Sequence, residues 1–338
     1  MFTMTHDEIF SPDNLYKAYL CARKGKRKKS YVQKFELALM KNLADLHHEL
    51  KTRTYRPRPC RKFWIYCTAG QKMRMIHSPH FRDLVVQFCF YNAVYAYFDK
   101  KFIFDSYGCR KNKGAHRASA RTMQFIRQSP PGSYYLQMDI RKYYYSIDHS
   151  ILREMLARDI ADPEVVDTAM LFCDIENPAA KGVNVGSLTA QLYGLIYLNR
   201  LDHFVKRVLK VKRYIRYCDD FLIFGMPKAA LRVILGMVKG FCTDMLDLTL
   251  SRFKLHGIGS GVNFAGYRHW PGKRLVRKKS LRNFKRAARR LDFPALESML
   301  AHASYTINYL SFCRALAGLC EKIFIPFNIK RRLNNAGL

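Results

Sequence analysis

Three carboxylates stand where carboxylates are costly. Asp139 closes the apolar run YYLQM, and Asp219 and Asp220 sit at the turn between the β-rich runs YIRYC and FLIF. A carboxylate at the end of a hydrophobic strand is expensive to desolvate unless it is paired or binds a cation. An isolated Asp–Asp pair in a hairpin turn is ordinarily a solvated turn. The apolar runs on both sides, and the scarcity of acids in the chain, argue against that here. Asp139 and the Asp219–Asp220 pair can converge only if their strands are neighbours. Converged, they make a hard oxygen site suited to Mg²⁺. A two-ion site of this kind, with ions roughly 3.5–4 Å apart, clamps the attacking and leaving oxygens of a phosphoryl displacement. Two cations, Lys72 and Arg74, fall on one face of an expected strand. They suit either the outer phosphates of a nucleotide or ordinary surface ion pairs.

Composition narrows the substrate. The chain has 338 residues, with 59 Lys and Arg against 26 Asp and Glu, a formal net charge of +33. Excess charge serves solubility in many proteins, but there both signs usually rise together. One sign in such excess points to a polyanionic partner, so a nucleic-acid end and a nucleoside triphosphate are the natural substrates. Hydrophobic residues make up 49% and aromatics 14%, enough for packed cores and against a disordered chain. Apolar runs such as LVVQFCF (84–90) are far shorter than the roughly 20 residues of a membrane span. The start, MFTMTHDEIF, lacks the basic and apolar segments of a secretory signal. Ten cysteines form no C-x-x-C pair, and most read as reduced core thiols of a cytoplasmic protein.

The positioning elements follow from periodicity and punctuation. Phe35, Leu39, Leu43, Leu46 and Leu50 predict a helix over 31–51. The basic run 23–29 before it is a solvated loop or a phosphate contact. Residues 63–79 read as two strands joined at Ala69–Gly70–Gln71. Leu84, Val85, Phe88, Val94 and Tyr97 predict a buried helix over 82–98. A strand is expected at 134–139, helices near 149–159, from Ser187 and over 228–246, and a strand pair around 248–270. Ten of the residues 273–290 are Lys or Arg. There Leu281, Phe284, Ala288 and Leu291 form an apolar stripe, with Lys278, Arg282, Lys285, Arg286 and Arg289 on the other face. A subdomain boundary is expected near Pro271.

Five segments, in order, resemble the motifs of reverse transcriptases. They are RMIHSPHFRDLVVQ (74–87), QMDIRKYYYSIDH (137–149), YCDD (217–220), LTLSRFK (248–254) and FAGY (264–267). The stretch 182–206 resembles group II intron-like bacterial enzymes, in particular those of diversity-generating retroelements. Those read an aliphatic residue, Gly, three residues, Ser and Gln. Here the string is Val185–Gly186–Ser187–Leu188–Thr189–Ala190–Gln191. Ala190 departs from the usual Ser, Ala265 from the Leu of F-L-G-Y, and Cys218 from the frequent Met or Ala.

The resemblance implies an α+β right-hand polymerase: fingers, a palm with an antiparallel sheet, and a helical thumb. Along the chain it implies a basic helical extension (1–55), fingers interleaved with palm (56–136), the palm (137–270) and the thumb (271–338). It implies that Asp139, Asp219, Asp220 and the carbonyl of Ile140 serve two Mg²⁺ ions, with Mn²⁺ as substitute. Lys72, Arg74, Tyr144, Val185, Gly186 and Lys254 would face the nucleotide: Arg74 at the triphosphate, Tyr144 as the gate against a 2′-OH, Lys254 as proton donor to pyrophosphate. From sequence alone Tyr144 reads as a core tyrosine and Lys254 as a solvated one. Phe264, Ala265, Gly266 and Tyr267 would seat the primer, and the basic helix would track duplex phosphates without reading sequence. The implied partners are an RNA template, a DNA or RNA primer and dNTPs. A dedicated noncoding RNA, with a small accessory protein or a second polymerase, is also expected, since no endonuclease, protease or RNase H module is visible and no membrane is involved. The same palm occurs in bacterial antiviral defence enzymes, the rival setting, and an idle nucleic-acid scaffold is the rival from another class.

Overall fold

The structure, a computed structural model, describes residues 1–67, 72–173, 177, 179–320 and 327–335. Its strands are β1 (Arg61–Cys67), β2 (Lys72–Ser78), β3 (Tyr134–Ile140), β4 (Tyr214–Tyr217), β5 (Asp220–Met226), β6 (Leu250–Gly257), β7 (Val262–Phe264), β8 (Tyr267–His269) and β9 (Arg274–Val276). They form a two-stranded hairpin β1–β2, a four-stranded sheet in the order β4-β5-β3-β6, and a three-stranded sheet β7-β8-β9. Helices occupy most of the remaining chain. This mixed composition, with antiparallel β3–β5 and β4–β5 pairing, is the α+β polymerase fold.

Contacts divide the chain into two compact units. The first holds residues 1–104, 140–210 and 236–252, the second 105–139, 211–235 and 253–338. The first is mainly helical. The helix Phe81–Lys101 is its spine, with Val85, Val86, Phe90, Val94 and Phe98 buried. The helices Pro12–Arg23 and Leu188–His203 pack against it. Leu84, Phe88 and Tyr97, expected in the core, are only half-buried, because the apolar face is centred one position further along.

The second unit has two cores. One joins Phe125 and Ile126 of the helix Ala115–Arg127 to Tyr135, Ile215, Leu222 and Phe224 of the central sheet and to Val262 and Phe264. The other, built from Phe284, Leu296, Leu300, Phe312 and Leu316, holds the C-terminal helices together. These cores lie in one unit, so the contacts continue across Pro271.

Several expectations change. The helix over 31–51 is two helices, Ser30–Glu36 and Leu39–Lys51. Asn42 Nδ2 donates to the Phe35 carbonyl (2.8 Å), which ends the first, and Leu37 stands exposed at the break. The strand pair near 248–270 is three strands in two sheets, because the turns at Gly261 and Gly266 take positive φ (85° and 90°). Of the ten cysteines, Cys89, Cys173, Cys242 and Cys313 are buried, whereas Cys21 and Cys109 are exposed and Cys60 and Cys218 half-buried. Arg23 of the basic run is held by Glu36 (3.4 Å), while Lys24, Gly25, Arg27, Lys28 and Lys29 form an exposed turn. The turn at 69–71 lies outside the described residues.

Candidate active site

The aspartates are brought together by strand register. β3 and β5 pair antiparallel with Met138 opposite Phe221 and Asp139 opposite Asp220. β4 and β5 pair with Tyr217 opposite Asp220, leaving Cys218–Asp219 as a two-residue turn. Asp220 therefore opens β5 instead of sitting in the turn. Period-two alternation buries Met138 and Phe221 and leaves Asp139 and Asp220 half-buried at the sheet end.

Cys218 carries φ of 56°, an uncommon conformation for a residue with a side chain. Three features hold the turn. Arg216, only 1% exposed, donates from Nη1 to the Cys218 carbonyl (3.0 Å). The segment after Asp105 runs beside β4, with Arg216 N–H donating to the Asp105 carbonyl and Tyr107 N–H to the Arg216 carbonyl, both at 2.9 Å. Gly108 then lies against Cys218 so closely that a Cβ there would stand 2.5 Å from the Cys218 nitrogen. The Cys109 and Cys218 sulfurs are 4.0 Å apart. Neither Arg216 nor Gly108 is conspicuous in the sequence. An arginine alternating within YIRYC was the available signal.

The Asp220 carboxyl is strongly perturbed. Gln137 Nε2 donates to both its oxygens, at 2.8 and 3.1 Å, and to the Asn263 carbonyl at 3.1 Å. Burial nevertheless pushes the carboxyl up to about 7. The Gln137 amide opposes the shift, the charges of Asp139 and Asp219 add to it, and Arg277 opposes it. Gln137 and Arg277 are further site residues that motif reading passed over. Among the described residues no three His, Cys, Asp or Glu side chains form a ready-made metal cage. The donor chemistry still fits a hard divalent cation: oxygen anions crowded enough that the charges of Asp139 and Asp219 raise the proton affinity of Asp220. Ile140 buries its side chain, so only its backbone is available to such an ion.

The remaining residues of the second unit divide by exposure. Lys254 is exposed on β6. Phe264 and Tyr267 pair across a hairpin turn whose central residues, Ala265 and Gly266, both have positive φ (45° and 90°). This is the sense of twist that suits adjacent antiparallel strands. The rings of Phe264 and Tyr267 are buried, so the backbone of this turn is what it can offer a primer. On the helix Lys278–Arg289, Lys278, Arg282, Lys285, Arg286 and Arg289 are all exposed, and the last four line one recess with Arg290. Phe284 and Ala287 face the core, but Leu281 and Leu291 are exposed. The expected stripe is thus shorter at both ends: Leu281 in the first turn is exposed, and past the helix end at Arg289 Leu291 turns away with φ of 54°.

The first unit holds the other candidates. Arg74 is exposed on β2, opposite Ile65 of β1, and so shares a face with Ile76. Lys72 opens β2, and its side chain lies outside the described residues. His77 N–H donates to the Val185 carbonyl (2.7 Å), and the His77 ring bonds Asn184 Oδ1 (3.0 Å). Gly186 has φ of 108°, and a Cβ there would stand 2.7 Å from Ile76 Cγ2. The 184–186 loop is therefore docked on the arginine-bearing strand, and Ser187 caps the next helix through the Ala190 N–H (3.1 Å). Tyr144 is half-buried with its ring over Gly194, where a Cβ would stand 3.0 Å from Cε1.

An antiparallel sheet that presents three aspartates at one end, beside a strongly basic helix, defines the palm of a nucleic-acid polymerase. Residues 68–269 match the family described as "Reverse transcriptase (RNA-dependent DNA polymerase)", and the chain belongs to that family. It is 25% identical over 279 residues to protein YkfC of Escherichia coli K12, covering 70% of this chain and 71% of that protein. It is 26% identical over 223 residues to the group II intron-encoded protein LtrA of Lactococcus lactis subsp. cremoris, covering 63% of this chain and 36% of LtrA. Among solved structures, telomerase from Candida albicans in complex with a telomeric RNA fragment aligns with a TM-score of 0.48 and 10% identity, over 84% of this chain and 62% of that one. No helix among the described residues is long and apolar enough to cross a membrane.

Proposed function

We propose that the protein extends a DNA or RNA primer on an RNA template from dNTPs, with Asp139 and Asp219 as the metal-holding carboxylates and Asp220 beside them. The observation that carries this reading is the register that sets Asp139 opposite Asp220, with Asp219 one residue away in a constrained turn. When bound there, divalent ions (Mg²⁺, or Mn²⁺ in its place) neutralise the reacting phosphate and clamp the attacking and leaving oxygens. Arg74 contributes fixed positive charge toward a triphosphate, and Lys254 a proton to the leaving pyrophosphate. Tyr144 walls the sugar side, its ring braced by Gly194. The exposed cations of the helix Lys278–Arg289 hold duplex phosphates electrostatically, so binding weakens steeply with salt.

The test is primer extension by the purified protein on matched RNA and DNA templates with Mg²⁺, beside Asp219→Asn. Metal-dependent DNA synthesis on RNA, lost in the variant by about 10³-fold or more, is the expected result. Synthesis that survives in Asp219→Asn overturns the assignment. Silence of the wild type, with its co-purified RNA and neighbouring gene product supplied, moves the protein to the scaffold reading.

The finer setting we infer is a diversity-generating retroelement, supported by aliphatic Val185 and Gln191 in the string 185–191. An aliphatic side chain cannot hydrogen-bond near the templating pair as Gln would, so base discrimination is expected to be weak. Val185→Gln should lower misincorporation several-fold in a single-nucleotide assay. Unchanged fidelity would remove this support and leave the defence setting, with its own noncoding RNA, as the better reading.

A further inference from the structure

We infer that His302 and His116 are positioning residues that latch the C-terminal helical bundle to the Phe264–Tyr267 turn, and that this latch sets the protein's hold on a primer–template duplex. The inference rests on the polymerase reading above and concerns contacts within the second compact unit.

Four rings from three parts of that unit form two stacked pairs. The His302 imidazole, in the last turn of the helix Phe293–Ala303, lies flat on Tyr267 (centroids 4.2 Å, planes 14° apart). His116, at the start of the helix Ala115–Arg127, lies flat on Tyr305 (3.9 Å, 17°). The two pairs are joined by hydrogen bonds. The Tyr267 hydroxyl donates to the His302 carbonyl (3.1 Å) and meets His116 Nδ1 at 2.7 Å. His302 Nε2 reaches the Gly266 carbonyl at 3.3 Å. Arg274 of β9 covers the group, its guanidinium carbon 5.4 Å from the Tyr267 ring and 5.9 Å from Tyr305.

Two further observations show that the contact is built. Gly266 has φ of 90°, and a Cβ on it would stand 3.0 Å from His302 Cε1, so the turn approaches the imidazole as closely as glycine permits. Both imidazoles are also held below their usual range, first by loss of solvent, with Arg274 adding to it, so they stack as neutral rings. The consequence for nucleic acid follows from connectivity. Only Arg277 separates β9 from the basic helix Lys278–Arg289, and β9 pairs with β8, which carries Tyr267. A bundle fixed at both β9 and His302 presents its cations in one place. A bundle fixed only at β9 pivots, and a preorganised charged surface binds more tightly than a mobile one.

The experiment measures duplex Kd by fluorescence anisotropy, which needs no turnover, and separately KM for duplex and kcat at saturating duplex. The proteins are wild type, His302→Ala, His302→Phe and Tyr305→Ala. Losing one ring stack and one hydrogen bond is expected to weaken duplex binding by roughly tenfold in His302→Ala. KM for duplex should rise in step, with kcat within about twofold. His302→Phe, which keeps the ring, should recover most of the loss. Tyr305→Ala removes a side chain 46% exposed, so it is expected to fold, and should weaken binding by about threefold. Unchanged duplex affinity in both alanine variants overturns the latch. So does a fall in kcat with Kd and KM unmoved. A wild type that binds duplex without making DNA counts against the polymerase reading alone, because the affinity comparison still stands.

Discussion

Replacing Gly108 with alanine is expected to reduce primer extension about 100-fold, although residue 108 is no part of the recognised motifs. Its added Cβ would stand 2.5 Å from the Cys218 nitrogen, 2.6 Å from Sγ and 3.1 Å from Cα. Two of these are backbone atoms of the turn that carries Asp219, so relief requires the turn to move. That turn already holds Cys218 at φ of 56°, a conformation worth about 1–3 kcal/mol of strain that persists only where its surroundings impose it. A displacement of about 1 Å at a reacting centre costs on the order of 10² in rate. Thermal unfolding should also fall, since overpacking of this kind costs about 1–3 kcal/mol. Cys218→Ala relieves the sulfur contact but not the nitrogen contact, so the double variant should recover only part of the activity. Near-normal kcat in Gly108→Ala would show that Asp219 does not depend on this clamp.

Asp220→Asn is expected to stabilise the metal-free protein at pH 8 and to leave it nearly unchanged near pH 4. Loss of solvent around the half-buried side chain pushes the folded carboxyl up to about 7, against 3.8 ordinarily. Below about pH 4 both folded and unfolded chains hold the proton, and the group contributes no pH dependence. Between 4 and 7 the folded state holds a proton that the unfolded chain has released, so stability falls as pH rises. Above 7 the loss is complete, on the order of 4 kcal/mol. Asn cannot ionise and keeps the approximate shape, so the variant escapes this loss. Differential scanning calorimetry of both proteins from pH 4 to 8 reads the gap directly. Mg²⁺ at pH 8 should narrow it by favouring the ionised carboxylate of the wild type. Parallel pH profiles for the two proteins would mean that Asp220 is solvated and unstrained.

Much of this was open to reading before any fold was known. The helices over 149–159 and 228–246 and the β3 strand follow from local periodicity, and local periodicity survives folding when the same face is buried along its length. The break at Leu37 was not readable, because it depends on Asn42 reaching back to the Phe35 carbonyl, a side-chain bond that no apolar spacing announces. Leu291 misled for a related reason: a stripe can be periodic in the sequence and still outrun the helix that would bury it, whereas Leu281 lies within the helix and is exposed in its first turn.

By itself the sequence determined the chemistry: three acids set at strand ends in a chain of net charge +33, in the order of a polymerase. A carboxylate bordered by apolar runs is costly wherever it folds, so its presence is informative without coordinates. Tertiary structure alone decided which groups brace those acids. Gln137 turns its amide to Asp220, Arg216 and Gly108 hold the Cys218 turn, and His302 meets the Gly266 carbonyl. Most of these partners lie far apart in the chain, and their meeting depends on strand register and close approach. Those are set by the packing of whole elements, whereas the identity of a charged group is fixed by one residue.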